Sequence, residues 1–124
     1  MEDRITAESI EAVLVNWPQL TYFGFRSPDS DNYGPERAEL LGDRAIAEIQ
    51  FSRDWLRSAK LTAKAGPKSP SSYWVKHVIE RVRGDYVSNG SLIVAALLAD
   101  VSIRPEGPNA RVAVNRRWLD KVPQ

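Results

Sequence analysis

The chain has no cysteine, one histidine and one methionine. Without thiols there are no disulfides, thiolate metal sites or cysteine nucleophiles, which suits a reducing compartment. One histidine falls short of the three or four ligands a zinc site needs, so neither metal nor cofactor is expected. A long apolar run is also missing. The greasiest stretch, residues 92–99, is well below the ~20 apolar residues of a membrane span and reads as a buried helix. The opening Met1-Glu2-Asp3-Arg4 has none of the ~7–15 apolar residues of a secretory leader. These absences together lead us to expect a cytoplasmic protein with no membrane contact. No phosphate-cradling glycine loop, Gly-x-Ser-x-Gly elbow or paired-carboxylate motif occurs, so no catalytic residue is nominated. Asp29-Ser30-Asp31-Asn32-Tyr33-Gly34 opens like a calcium loop, but Tyr33 and Leu40 stand where oxygen ligands belong; it reads as a turn.

What is present suggests one domain over residues 1–124, since domains most often run to roughly 100–150 residues. Its N-terminal helical part covers 1–65, and its core is a block over 69–115. The net charge of +1 conceals an asymmetry. Residues 1–65 hold eight Lys/Arg against eleven Asp/Glu, whereas residues 66–124 hold nine against five. Between Arg53 and Arg83, eight basic residues face only Asp54 and Glu80. Such a run is either an electrostatic footprint or a solvated face and linker.

Local signals place the elements. Thr6 caps a helix whose Ile10, Val13, Leu14 and Trp17 recur at helical spacing, and Pro18 stops it. The aromatics of residues 18–34 (Tyr22, Phe23, Phe25, Tyr33) read as anchors folding a loop onto the body. A long helix is predicted from Pro35 towards Ala65, with a break or kink at Gly42-Asp43 and with Arg57, Lys60 and Lys64 at its negative pole. A third helix runs from about Ser71 to Gly84, its left-handed cap. It buries Val75, Val78, Ile79 and Val82 and sets Lys76 and Glu80 as a pair on the opposite side. The single His77 reads as half-buried and satisfied. A fourth helix is capped by Ser88 and runs to about Asp100. Residues 101–104 and 111–115 then pair as a β-hairpin around a turn at 105–109.

The expected class is therefore mostly α with a small C-terminal β-hairpin. Its helix-turn-helix-hairpin core has the order of a winged helix. Against groove reading, Leu92 to Ala99 is apolar all round, and such a helix is buried on every side. The mouth of that helix, Ser88, Asn89, Gly90 and Ser91, is a candidate anion site, because free N–H groups and the helix dipole favour negative charge there. The other reading is that Ser88 and Asn89 only cap the helix.

Three blocks keep their order: Ser72-Tyr73-x-x-Lys76-His77-x-x-Glu80, Tyr86-Val87-Ser88-Asn89-Gly90-x-x-Ile93-x-Ala95-Ala96 and Gly107-Pro108-Asn109-Ala110. Over about the last 55 residues the chain resembles a family of small, uncharacterised proteins encoded on bacterial phages, plasmids and integrated elements. The resemblance implies a mobile-element setting, in which small proteins act by binding host machinery, CRISPR complexes included, or as regulators on DNA. The expected function is non-enzymatic binding to nucleic acid or to a nucleic-acid-handling host complex. Its contacts would be Arg53, Arg57, Lys60, Lys64 and Lys68 on one surface, with Arg111, Arg116 and Arg117 on the hairpin side. Two alternatives stand beside it. One is an anti-CRISPR-like inhibitor that binds a protein complex directly, with Glu36, Glu39, Asp43 and Glu48 mimicking nucleic-acid charge. The other is a small enzyme acting on a phosphorylated or nucleotide ligand at the Ser88–Ser91 mouth.

Overall fold

A computed structural model describes residues 3–123. It is a mostly helical α+β fold with two small antiparallel hairpins. The elements in chain order are α1 (Ala7–Val15), β1 (Leu20–Thr21), β2 (Gly24–Phe25), α2 (Tyr33–Glu39), α3 (Asp43–Ser58), α4 (Ser72–Arg83), α5 (Asn89–Leu98), β3 (Ile103–Glu106), β4 (Asn109–Val112) and α6 (Arg116–Asp120).

Caps explain most helix starts. Thr6 and Ser9 form a reciprocal capping box on α1, and Ser71 accepts a hydrogen bond from the Tyr73 N–H at the head of α4. Gly84 closes α4 in the left-handed conformation, φ 77°, which a side chain would resist. The guanidinium of Arg37 on α2 donates to the carbonyls of Leu14 (2.8 Å) in the last turn of α1, of Trp17 (3.0 Å) just beyond it and of Leu20 (2.9 Å) in β1. One side chain thereby ties α1, the first hairpin and α2 together.

The predicted long helix is two helices, and it ends earlier than expected. Leu40, Leu41 and Gly42 separate α2 from α3, and Ala59 is already extended. The cause is a backbone partner far along the chain. The Thr62 N–H donates to the Ala113 carbonyl (2.8 Å) and the Asn115 N–H to the Lys60 carbonyl (2.8 Å). Isolated bridges join Leu61 to Val114 and Ser71 to Arg111. Residues 60–71 therefore line the exit of β4 instead of continuing α3, and Lys60 and Lys64 lie on this segment, not on a helix.

At the centre is α5, in contact with α1, α3, α4 and strands of both hairpins. Leu92, Ile93, Val94, Ala95 and Ala96 are fully enclosed, as an all-round apolar helix requires. One hydrophobic cluster runs from Ile5 to Leu119 and joins the two parts of the chain. The second hairpin pairs Ile103 with Val112 through to Glu106 with Asn109, so its turn is the two residues Gly107-Pro108, tighter than predicted. The short helix α6 was not expected; Asn115 caps it, and the Trp118 ring packs on Trp55 with centroids 5.5 Å apart. Among the described residues no helix is long and apolar enough to cross a membrane.

Candidate functional site

The predicted anion site at the head of α5 is built, but it is already filled. Glu48 of α3 is 1 % exposed. Its Oε1 accepts from the Ser88 N–H (3.1 Å) and the Ser91 hydroxyl (2.8 Å), and its Oε2 accepts from the Tyr22 hydroxyl (2.8 Å). The Gly90 N–H donates to the Tyr22 carbonyl (2.9 Å). At Gly90 a Cβ would fall on the Thr21 carbonyl oxygen, so the residue is glycine because the first hairpin lies directly over the helix mouth. Asn89 is equally committed. Its Oδ1 accepts from the Ser72 hydroxyl (2.7 Å) and its Nδ2 donates to Asn109 Oδ1 (2.9 Å). Ser88, Asn89, Gly90 and Ser91 are all buried. The expectation of an open mouth is corrected: the helix pole does hold an anion, and that anion is the chain's own carboxylate. The same contact raises the Tyr22 phenol, through burial first and then its hydrogen bond to Glu48.

This closure also bears on both alternatives. A ligand entering at Ser88–Ser91 finds no space. Of the four proposed charge mimics, Glu48 is enclosed and Glu36 is paired with Arg26 at 2.6 Å.

The basic residues divide into two groups. Arg53 is 4 % exposed; its guanidinium donates to Asp54 (2.9 Å) and to Asp3 (3.3 Å). Arg57 is paired with Asp3 as well. The expected contact surface along α3 is thus spent on intramolecular pairs, because the N-terminal segment crosses it.

Three of the other basic residues converge, whereas Lys60, Arg111 and Arg117 stay outside the groove. A groove of about 430 Å³ lies between residues 62–69 and the exit of β4, and Lys64, Lys68 and Arg116 line it together with Thr62, Pro67 and Val114. Arg116 Nε donates to the Lys68 carbonyl (3.1 Å), and Arg111 Nη1 donates to the neighbouring Ser69 carbonyl (3.0 Å). These bonds anchor both guanidiniums to the main chain at residues 68 and 69. Arg111 is also paired with Glu106 at 2.8 Å. Among the described residues no carboxylate stands within ion-pair distance of Lys60, Lys64, Lys68, Arg116 or Arg117. Arg117 is exposed on α6 and does not line the groove.

Sequence patterning missed a second cluster, on α4. Lys76 was expected on the outer side of the helix; instead its side chain is 7 % exposed. Its ammonium is 3.1 Å from Glu80 and lies over the rings of Tyr73 and Tyr86. His77 Nδ1 is 3.0 Å from the other Glu80 oxygen, half-exposed and edge-on to Tyr73. Burial by itself raises the Glu80 carboxyl, but the Val87 N–H, Lys76 and His77 outweigh that and hold it below the ordinary carboxylate value. The lysine–glutamate spacing was the available signal, read on the wrong face. No group of three or more His, Cys, Asp or Glu among the described residues is placed to hold a metal ion.

The chain matches no protein-family model, no curated protein and no solved structure. What marks its surface is chemistry alone: a groove with three cations and no anion, and a pair of exposed tyrosines held in place.

Proposed function

We propose that the protein is a non-catalytic binding protein whose basic groove takes the phosphates of a nucleic acid, either free or within a host nucleoprotein complex. One observation carries this reading. Lys64 and Lys68, and Arg116 from far along the chain, line one groove and have no carboxylate partner among the described residues. Clustered cations with nothing to neutralise them repel one another, and a polyanion removes that cost. Arg116, tied to the Lys68 carbonyl, carries a guanidinium with no carboxylate partner, a group suited to phosphate oxygens, whereas Arg111 is already committed to Glu106 and Ser69. The resemblance of the last 55 residues to mobile-element proteins supports the same reading, with a setting in the cytoplasm of a bacterial or host cell.

Salt tests it. Three or four phosphate contacts release counterions, so affinity falls roughly 20- to 150-fold between 50 and 200 mM salt. Lys64→Ala or Lys68→Ala reduces the logarithmic salt slope by about one and weakens binding evenly across sequences. Fluorescence anisotropy with labelled oligonucleotides measures both. Affinity that is flat across that range, or the absence of binding, refutes the reading.

A further inference from the structure

We propose that Tyr73 and Tyr86 form a base-stacking platform beside the basic groove, so that the protein takes single-stranded nucleic acid in preference to duplex. The inference rests on the polyanion reading of the groove and names the kind of polyanion.

Aromatic rings normally enter the core, yet Tyr73 is 54 % and Tyr86 47 % exposed. They are not loose. The Lys76 ammonium sits 5.3 Å from the Tyr73 ring centroid and 4.9 Å from that of Tyr86. Within about 6 Å a cation is attracted to a ring face. The lysine cannot drift, because Glu80 holds it at 3.1 Å and the Val87 N–H donates to the same Glu80 oxygen (3.1 Å). His77 braces the Tyr73 ring edge-on with centroids 4.4 Å apart. A buried lysine and its partly buried glutamate partner thus fix two solvent-facing rings, and rings ordered beforehand lose little entropy when a ligand covers them.

Their position relates them to the groove. Ser69 lines the groove and accepts from Arg111; four residues later Tyr73 stands in the first turn of α4. Ser71, between them, bridges to Arg111. Beyond Tyr86, Arg83 donates to the Tyr86 carbonyl (2.7 Å) and, with Arg44, lines a further hollow that also contains Glu48 and Asp85. Cations along a track with aromatic faces beside it is the arrangement that binds single strands without reading sequence, since every base has a π-face. Duplex bases are stacked on one another and cannot use the rings. A docking protein would also value exposed tyrosines, but the unneutralised cations of the groove, whose wall at Ser69 leads directly into α4, favour phosphate.

The test measures anisotropy of the full chain with oligothymidylate, oligouridylate and a hairpin duplex of equal phosphate number. Both single strands are expected to bind at least about tenfold tighter than the duplex. Tyr73→Ala with Tyr86→Ala should lower single-strand affinity by about tenfold or more, leaving duplex affinity and the salt slope unchanged, while Tyr73→Phe with Tyr86→Phe retains binding. Equal affinity for strand and duplex, with the salt slope intact, removes the platform and leaves the groove. Binding to neither form removes both. Photocrosslinking the wild-type chain to a halogenated-uridine oligonucleotide gives an answer independent of variant folding. Adducts on Tyr73 or Tyr86 support the platform, and adducts confined to residues 60–71 and 111–117 overturn it.

Discussion

Glu48 shows how much of this fold hangs on one side chain. It accepts three hydrogen bonds in a buried site, and it joins α3, the first hairpin and the head of α5. Replacing it with glutamine keeps its size but removes the charge at the helix pole and sets an amide N–H among three donors. A buried donor left without an acceptor costs about 1–3 kcal/mol. Glu48→Gln is therefore expected to lower stability by about 2–4 kcal/mol in urea unfolding, whereas Glu39→Gln, on an exposed face, stays within about 0.5 kcal/mol. Nothing at Glu48 in the sequence announces this role. An acid inside a helical pattern looks like any solvated acid until the partners, Tyr22 and Ser88, arrive from 26 and 40 residues away. Lys76 was misread for the same reason.

At the level of elements, what proved legible was whatever the chain decides locally. The caps at Thr6, Gly84 and Ser88 and the apolar run of α5 all depend on residues within a turn of one another. What proved illegible was decided across the fold. Helix α3 stops at Ser58 because residues 60–62 find backbone partners at 113–115, and α6 exists because Leu119, fully buried, docks it on the core. A five-residue helix has too few internal bonds to persist alone. Leu119→Ala is expected to cost about 2–5 kcal/mol. It should also loosen Arg116 from the Lys68 carbonyl, so affinity for the proposed nucleic-acid ligand should fall with stability, an effect to be read by titrating the variant well below its unfolding midpoint. The candidate groove was half legible for the same reason. Its residues are conspicuous by charge, but only the pairing of 60–71 with the β4 exit selects Lys64, Lys68 and Arg116 over Arg53 and Arg57.

For the molecule as a whole, the ionisable groups bound its stable range. Tyr22 is raised, chiefly by burial and then by its hydrogen bond to Glu48, and Tyr86, half-exposed, is raised by its partial burial and then by the charges of Glu48 and Glu80. A raised group binds its proton more tightly when folded, so its contribution is complete below the unfolded value, about 10, and is lost as pH climbs through the folded one. Glu80 is lowered, and so is Asp3, by its hydrogen bond to Arg57 against a smaller opposing effect of burial. Those contributions are complete above the unfolded values, about 4, and are lost as acid titrates the folded carboxylates. The melting temperature is expected to hold a plateau through neutral pH and to fall on both sides. In Tyr22→Phe the alkaline decline is shallower. An unchanged alkaline limb in that variant would show that the phenol does not set it.

The carboxylate seated at the head of α5 has one more consequence. A helix pole that borrowed its counter-ion from solution would tie folding to whatever phosphate or sulfate the medium contained. Here the counter-ion is covalently part of the chain and shielded from mobile ions, and buried charge pairs are screened far less than exposed ones. The scaffold is thereby insulated from the ionic composition around it, while the open groove is fully coupled to that composition. The same salt that would strip a polyanion from the surface leaves the frame beneath it standing, ready to bind again when the salt is diluted.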